Sequence, residues 1–157
     1  GDVYKRQTEL MAQLNRQAGE VFAMQHKLVS ALTDVTGFGL LGHLSEMLEG
    51  AGLSAELEYS KIPVLSAARV HAQKGVMAGG SKANYSSVQK RLNPSESLSE
   101  IDLLLLADAQ TSGGLLAAVD PEKVDDLLSQ LHEVGVADAV QIGRLVEGED
   151  CRIQIHP

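Results

Sequence analysis

Several absences limit what this chain of 157 residues can be. It has no tryptophan, only 3% aromatic residues and one cysteine, Cys151, so an internal disulfide bond is excluded. The longest apolar run, Leu103 to Ala107, is far shorter than the roughly 20 residues that cross a bilayer. No stretch near residue 1 has the apolar character of a signal peptide. These features predict no membrane association and favour a reducing, cytoplasmic location.

Basic residues are also scarce. The chain has 13 lysines and arginines against 21 acidic residues, which gives a formal net charge of −8. A nucleic-acid-binding surface needs the opposite balance, because phosphate backbones attract cations. We therefore predict that nucleic acid is not a partner. A nucleotide held through metal ions stays compatible with this charge.

The remaining composition predicts one domain with an aliphatic core. Hydrophobic residues make up 44% of the chain. Residues 1–7 follow no periodic pattern and are treated as a leader or remnant. Apolar spacing predicts helices over 8–25, 38–50, 63–73 and 120–135, with Gly50 as a helix stop and Pro63 as a helix start. Strands are predicted over 27–35, 54–60, 113–119, 139–146 and 151–155, and the last two form a hairpin.

Two further segments complete this prediction. Residues 74–87 are expected to be a loop, because the segment is rich in glycine and serine and contains Gly79-Gly80. Residues 99–107 fit either a helix or a buried strand. Helices and strands that alternate and then end in a hairpin predict an α+β fold with a mixed sheet.

One segment, TDVTGFGLLGHL (residues 33–44), combines groups that could bind an anion through a metal. Asp34 ends an apolar strand, and Mg²⁺ prefers carboxylates together with phosphate oxygens. Gly37 and Gly39 permit close approach of a ligand or of another backbone, and the N–H groups of the following helix favour phosphate. The competing interpretation is that Asp34 and Thr36 cap the helix while the glycines ease packing. From the residues alone, this second interpretation is favoured.

Other polar residues also have two interpretations each. The segment DAQTSGGLL (108–116) repeats the order acid, threonine, glycine, Leu-Leu, and either lines the same cleft or connects a helix to a strand. Lys82 could meet an anion or lie in solvent, and His43 could contact a ligand or be structural. The histidines are too scattered for a metal site. Cys151 is not expected to be a nucleophile.

These motifs together resemble a known family. TDVTGFGLLGHL, GGSKAN (79–84), DAQTSGGLL and IGRLV are similar in order and spacing to the C-terminal domain of selenophosphate synthetases (selenide, water dikinases). The resemblance covers residues 8–157. The first motif is shared more widely with aminoimidazole ribonucleotide (AIR) synthetases and thiamine-phosphate kinases. The segment QTSGGLL restricts the resemblance to the selenophosphate synthetases. One departure is Ala109, where the family usually has proline.

The resemblance implies a fold, a reaction and a site. The fold is a three-layer α/β/α sandwich of the α+β class with a mixed sheet. The enzyme converts ATP, selenide and water to selenophosphate, AMP and phosphate, as a homodimer that uses Mg²⁺. Asp34 matches a metal-binding aspartate, and Thr33, Thr36, Gly37 and Gly39 are expected to line the phosphate cleft.

The resemblance also implies what lies elsewhere. The other metal ligands, the nucleotide loop and the reactive cysteine or selenocysteine belong to an N-terminal ATP-binding domain, so no catalytic residue is expected here. The roles of Asp108, Lys82 and His43 stay open. Two alternatives are another synthetase or kinase of the same superfamily, and a non-catalytic domain that binds a partner.

Overall fold

The computed structural model describes Lys5, Thr8, residues 15–148 and residues 150–157. The predicted leader over 1–7 and the first half of the helix predicted over 8–25 fall largely outside the described residues. The chain forms two compact units. The first combines the described residues up to Asp34 with Ser112–Gln141, and the second combines Val35–Thr111 with Ile142–Pro157. The chain passes from one unit to the other at three points. Two of them, between residues 34 and 35 and between residues 111 and 112, fall inside the glycine-containing motifs.

The first unit contains two helices and two strands. Helices α1 (Arg16–Met24) and α6 (Val124–Glu133) accompany strands β1 (Val29–Asp34) and β4 (Leu115–Val119). The strands pair antiparallel, with Asp34 opposite Leu115. The core of the unit is formed by apolar residues of the two helices: Ala18, Val21, Phe22, Leu127 and Leu131.

The start of α6 follows the predicted signals. A short 3-10 turn over Pro121–Lys123 precedes the helix, and the Asp120 carboxylate accepts a hydrogen bond from the main-chain N–H of Glu122 at 2.9 Å. A side-chain oxygen at this position satisfies an N–H that the helix leaves unpaired. The predicted cap and the predicted helix over 120–135 are confirmed.

The second unit is built on a mixed four-stranded sheet. Its strands are β2 (Leu53–Glu58), β3 (Leu92–Pro94), β5 (Gly143–Glu147) and β6 (Ile153–His156), in the order β3-β6-β2-β5. Strand β2 pairs antiparallel with β5 and parallel with β6, and β3 pairs parallel with β6. The α+β class with a mixed sheet is thereby confirmed.

The predicted hairpin between the last two strands is wrong. Strand β2 lies between β5 and β6, so those two strands do not pair with each other. The side chains of Ile153 and Ile155 are fully buried. A strand that buries such residues is stabilised in the interior of a sheet, and β6 accordingly pairs with strands on both of its edges.

The helices of this unit are α2 (Gly39–Ala51), α3 (Ser66–Gln73), α4 (Gly79–Val88) and α5 (Glu100–Leu106). The helix predicted to begin at Pro63 begins three residues later. The segment predicted as a loop over 74–87 contains α4, because Ser81 and Val88 are buried and packing outweighs the weak helix propensity of glycine and serine. The ambiguous leucine run is helical, and a reciprocal capping box between Ser99 and Asp102 begins it.

The stop predicted at Gly50 is also wrong. Helix α2 continues through Gly50 to Ala51. Gly52 is the residue with left-handed backbone, at φ +66°, and its N–H donates to the carbonyl of Leu48 at 2.8 Å. Glycine adopts this conformation without the steric penalty that a Cβ causes.

Candidate functional site

Asp34 is exposed at the last position of β1. Among the residues that the structure describes, its carboxylate has no hydrogen-bond or ion-pair partner. The neighbouring Thr33 hydroxyl donates to the main-chain carbonyl of Asp34 at 3.1 Å, not to its carboxylate. Both carboxylate oxygens therefore remain available to a ligand.

The two predicted cleft glycines have different surroundings. Gly39 has φ +69°, and a Cβ built there would lie 2.6 Å from the carbonyl carbon of Ala107 and 2.7 Å from its oxygen. Gly39 is therefore required for close approach of another backbone segment. Gly37 is exposed, and a Cβ at that position would meet nothing within 4 Å. Only Gly37 leaves open space in which a ligand could approach.

Three of the four motifs identified in the sequence contribute residues that meet in the second unit. The main-chain N–H of Gln110 donates to the carbonyl of Thr36 at 2.9 Å, which joins the two glycine-containing segments. The side-chain amide of Asn84 donates to the carbonyls of Gly37 at 2.8 Å and Ala107 at 3.1 Å. We call this assembly of Thr36–Gly39, Asn84 and Ala107–Gln110 the motif junction.

Asn84 is the residue that sequence reasoning missed. The GGSKAN segment drew attention to Lys82, whose side chain is exposed and has no ion-pair partner among the described residues. The signal for Asn84 was its place at the end of that motif. An amide can bridge two carbonyls because its nitrogen carries two donor hydrogens.

Asp108 is held inside the motif junction. The fully buried Ser81 hydroxyl donates to the Asp108 carboxylate, and the N–H of Ala109 donates to the Ser81 oxygen at 3.4 Å. The Gln110 side chain donates to the main-chain carbonyl of Asp108 at 3.1 Å. These bonds give Asp108 a structural role in the connection between α5 and the following turn.

His43 links Thr36 to an acidic residue. Its side chain is nearly buried on α2, with Nε2 at 3.2 Å from the Thr36 hydroxyl and Nδ1 at 3.1 Å from the Glu46 carboxylate. The Phe38 ring packs against the imidazole with 5.6 Å between ring centroids. His43 is thus a structural residue that also contacts one of the predicted cleft residues.

A separate polar cluster lies around Asp102, which no motif indicated. Its carboxylate accepts hydrogen bonds from the Ser99 hydroxyl at 2.6 Å, from the Tyr59 hydroxyl at 2.8 Å and from the Arg69 guanidinium at 2.5 Å. Burial raises the pKa of the Asp102 carboxyl, but the bonds from Ser99, Tyr59 and Arg69 outweigh it and lower the pKa to about 2. Burial and the neighbouring Asp102 raise the pKa of Tyr59 to about 12. A carboxylate with this many internal donors stabilises the fold.

Across Lys5, Thr8, 15–148 and 150–157, no group of three or more histidine, cysteine, aspartate or glutamate side chains could hold a metal ion. Within the same residues, the longest apolar helices are too short to cross a membrane. Cys151 is half-buried, and its thiol donates to the carbonyl of Leu48 at 3.6 Å.

The fold and the motif junction define a class of protein. The family described as AIR synthase related protein, C-terminal domain, matches residues 3–156, and the chain belongs to this family.

Within this class, the similar curated proteins are selenide, water dikinases. The chain is 46% identical over 145 residues to that of Myxococcus xanthus and 46% identical over 127 residues to that of Pseudomonas aeruginosa. These matches cover 92% and 81% of this chain but only 41% and 36% of the relatives. The chain therefore spans well under half the length of the curated relatives it matches.

Among solved structures, the crystal structure of the hydrogenase maturation protein HypE is similar, with a TM-score of 0.56 and 17% identity. The similarity covers 90% of this chain and 38% of that one. At this level of identity it shows a shared fold.

Proposed function

We propose that this chain is the C-terminal part of an ATP-dependent selenophosphate synthetase. The reaction converts ATP, selenide and water to selenophosphate, AMP and phosphate. The observation that carries the proposal is the motif junction, in which Thr36–Gly39, Asn84 and Ala107–Gln110 are joined by hydrogen bonds. The similarity to selenide, water dikinases over most of this chain supports the same conclusion.

The Asp34 carboxylate has the chemistry of one ligand in a magnesium site. The Asp34 carboxylate is exposed, and within the described residues it has no competing partner. Mg²⁺ binds in proteins through one or two carboxylates plus substrate phosphates. A single aspartate from this chain therefore fits the usual number of protein ligands at such a site. Metal ions at such a site neutralise charge that develops on the phosphoryl oxygens. The remaining ligands come from an N-terminal ATP-binding domain in this proposal.

The residues around Asp34 then have separate tasks. Thr33 and Thr36 flank it in the sequence and place hydroxyl groups at the wall of the phosphate cleft. Gly37 leaves room for the phosphates, whereas Gly39 shapes the turn by packing against Ala107. The N-terminal end of α2 adds main-chain N–H groups, which favour anions. The proposal includes a homodimeric, cytoplasmic enzyme with ATP and selenide as substrates.

The products of the reaction test this proposal. We expect the full-length protein to convert ATP to AMP, phosphate and selenophosphate in the presence of Mg²⁺ and selenide, as followed by ³¹P NMR. Omission of selenide is the control and is expected to abolish selenophosphate formation. Formation of ADP, or consumption of ATP that does not depend on selenide, would instead indicate another kinase or synthetase of the same superfamily.

A further inference from the structure

We infer that Glu46 and His43 fix the direction of the Thr36 hydroxyl hydrogen, so that Thr36 offers only oxygen lone pairs to the proposed cleft. Thr36 would then contact a divalent cation or a water bound to it, and would not donate to a phosphate oxygen. This inference rests on the proposed function for the nature of the ligand. The orientation of the hydroxyl rests on the hydrogen bonds alone.

Glu46 determines which ring nitrogen of His43 carries a hydrogen. The Glu46 carboxylate lies 3.1 Å from Nδ1, and an ionised carboxylate can only accept a hydrogen bond. Nδ1 therefore carries a hydrogen. In a neutral imidazole with Nδ1 protonated, Nε2 carries a lone pair and acts as an acceptor. Glu46, three residues further along α2, thus selects the tautomer of His43.

The Thr36 hydroxyl lies beside the other ring nitrogen of His43. Its oxygen lies 3.2 Å from Nε2, and the His43 residue is only 8% exposed. A buried acceptor without a donor is destabilising, so the Thr36 O–H is directed at Nε2. The hydroxyl has one hydrogen, and this bond uses it. What remains on the oxygen is acceptor capacity.

An oxygen with only acceptor capacity suits a cation better than a phosphate. A hydroxyl oxygen whose hydrogen is committed can coordinate a hard cation or accept from a metal-bound water. It repels the negatively charged oxygens of a phosphate. Thr36 stands two residues after Asp34, the carboxylate without a partner in the described structure. His43 and Glu46 are positioning residues in this account, because they act through Thr36.

The tautomer can be measured directly on this chain. We expect ¹⁵N NMR of the His43 ring at pH 7.5 to show a protonated Nδ1 and an unprotonated Nε2. Glu46→Ala should shift the ring towards a mixture of tautomers, and Glu46→Gln, whose carbonyl still accepts, should largely keep the original form. Glu49→Ala on the same helix is the matched control, since Glu49 is similarly exposed and does not contact His43. A protonated Nε2 in the unmodified chain would overturn the inference.

The ligand class is tested in the full-length protein. We expect Thr36→Val to raise the Mg²⁺ concentration for half-maximal activity about tenfold, with the KM for ATP at saturating Mg²⁺ changed less than twofold. Thr36→Ser should restore the Mg²⁺ requirement. A raised KM for ATP with unchanged Mg²⁺ dependence would show that the hydroxyl serves a phosphate and would overturn the inference. If the unmodified protein has no selenide-dependent activity, the proposed function fails, and the tautomer measurement still decides the hydroxyl orientation.

Discussion

Two glycines of the same motif, Gly37 and Gly39, have different structural roles. In the sequence, Gly37 and Gly39 are equivalent members of one motif. In the structure, Gly39 has left-handed backbone and packs on Ala107, whereas Gly37 is exposed with open space around it. The sequence could not separate them, because the contact with Ala107 joins residues far apart along the chain.

The two glycines predict opposite results on substitution. Gly39→Ala should lower the free energy of unfolding by about 2–4 kcal/mol, since it combines left-handed backbone with a clash against main-chain atoms. Gly37→Ala, the matched control, should change stability by less than about 0.5 kcal/mol. Urea denaturation measures both. Equal effects of the two substitutions would contradict the distinction.

Asp102 predicts an acid-dependent loss of stability. Its pKa in the folded protein is about 2, against an ordinary value of 3.8. A lowered pKa stabilises the fold above the unfolded value, and this contribution disappears as the pH falls through about 2. It amounts to about 2 kcal/mol at neutral pH.

The corresponding variant is Asp102→Asn. It should be less stable than the unmodified chain at pH 7, and the gap should narrow by about 1 kcal/mol at pH 3, because only the unmodified chain loses the ionised group. Urea denaturation at the two pH values gives the comparison. The exposed residue Asp138 provides the control variant Asp138→Asn, for which the gap should stay near zero. A gap that is the same at both pH values for Asp102→Asn would contradict this assignment.

At the scale of elements, the sequence predicted those features that depend on residues close together in the chain. The cap at Asp120 and the strand over 54–60 were found because their signals lie within a few residues. Helix α4 and the position of β6 were not, because they depend on the burial of Ser81, Ile153 and Ile155 by distant segments. The motifs of the candidate site were found by resemblance, and their hydrogen-bonded contact required the structure.

The corrected end of α2 gives a prediction for this element. Gly50→Ala should raise the free energy of unfolding by about 0.5–1 kcal/mol, since Gly50 lies inside the helix with nothing within 4 Å of a Cβ. Gly52→Ala should lower it by about 1–2 kcal/mol, because Gly52 has φ +66°. Thermal denaturation of both variants would decide. A loss of stability in Gly50→Ala would contradict the position of Gly50 inside the helix.

At the scale of the whole molecule, the proposed function gives this chain one carboxylate and one wall of a site that an N-terminal domain completes. The described residues hold no group of three metal-binding side chains, and the chain spans 41% of the relative from Myxococcus xanthus. Because the proposed function assigns the other metal ligands and the nucleotide loop to an N-terminal domain, we expect the chain of 157 residues alone to release no AMP from ATP and selenide. Isothermal titration with Mg-ATP should detect little binding. Selenide-dependent AMP formation by this chain alone would contradict this prediction.

In the proposed function, Asp34 binds magnesium in a selenophosphate synthetase. The most direct test of this role is the Mg²⁺ titration of selenide-dependent AMP formation by the full-length protein, with Asp34→Asn and the control Asp138→Asn measured beside it. We expect Asp34→Asn to lower turnover at least tenfold and to shift the titration to higher Mg²⁺, while Asp138→Asn behaves like the unmodified protein. An unchanged Mg²⁺ dependence in Asp34→Asn would show that Asp34 is not a magnesium ligand.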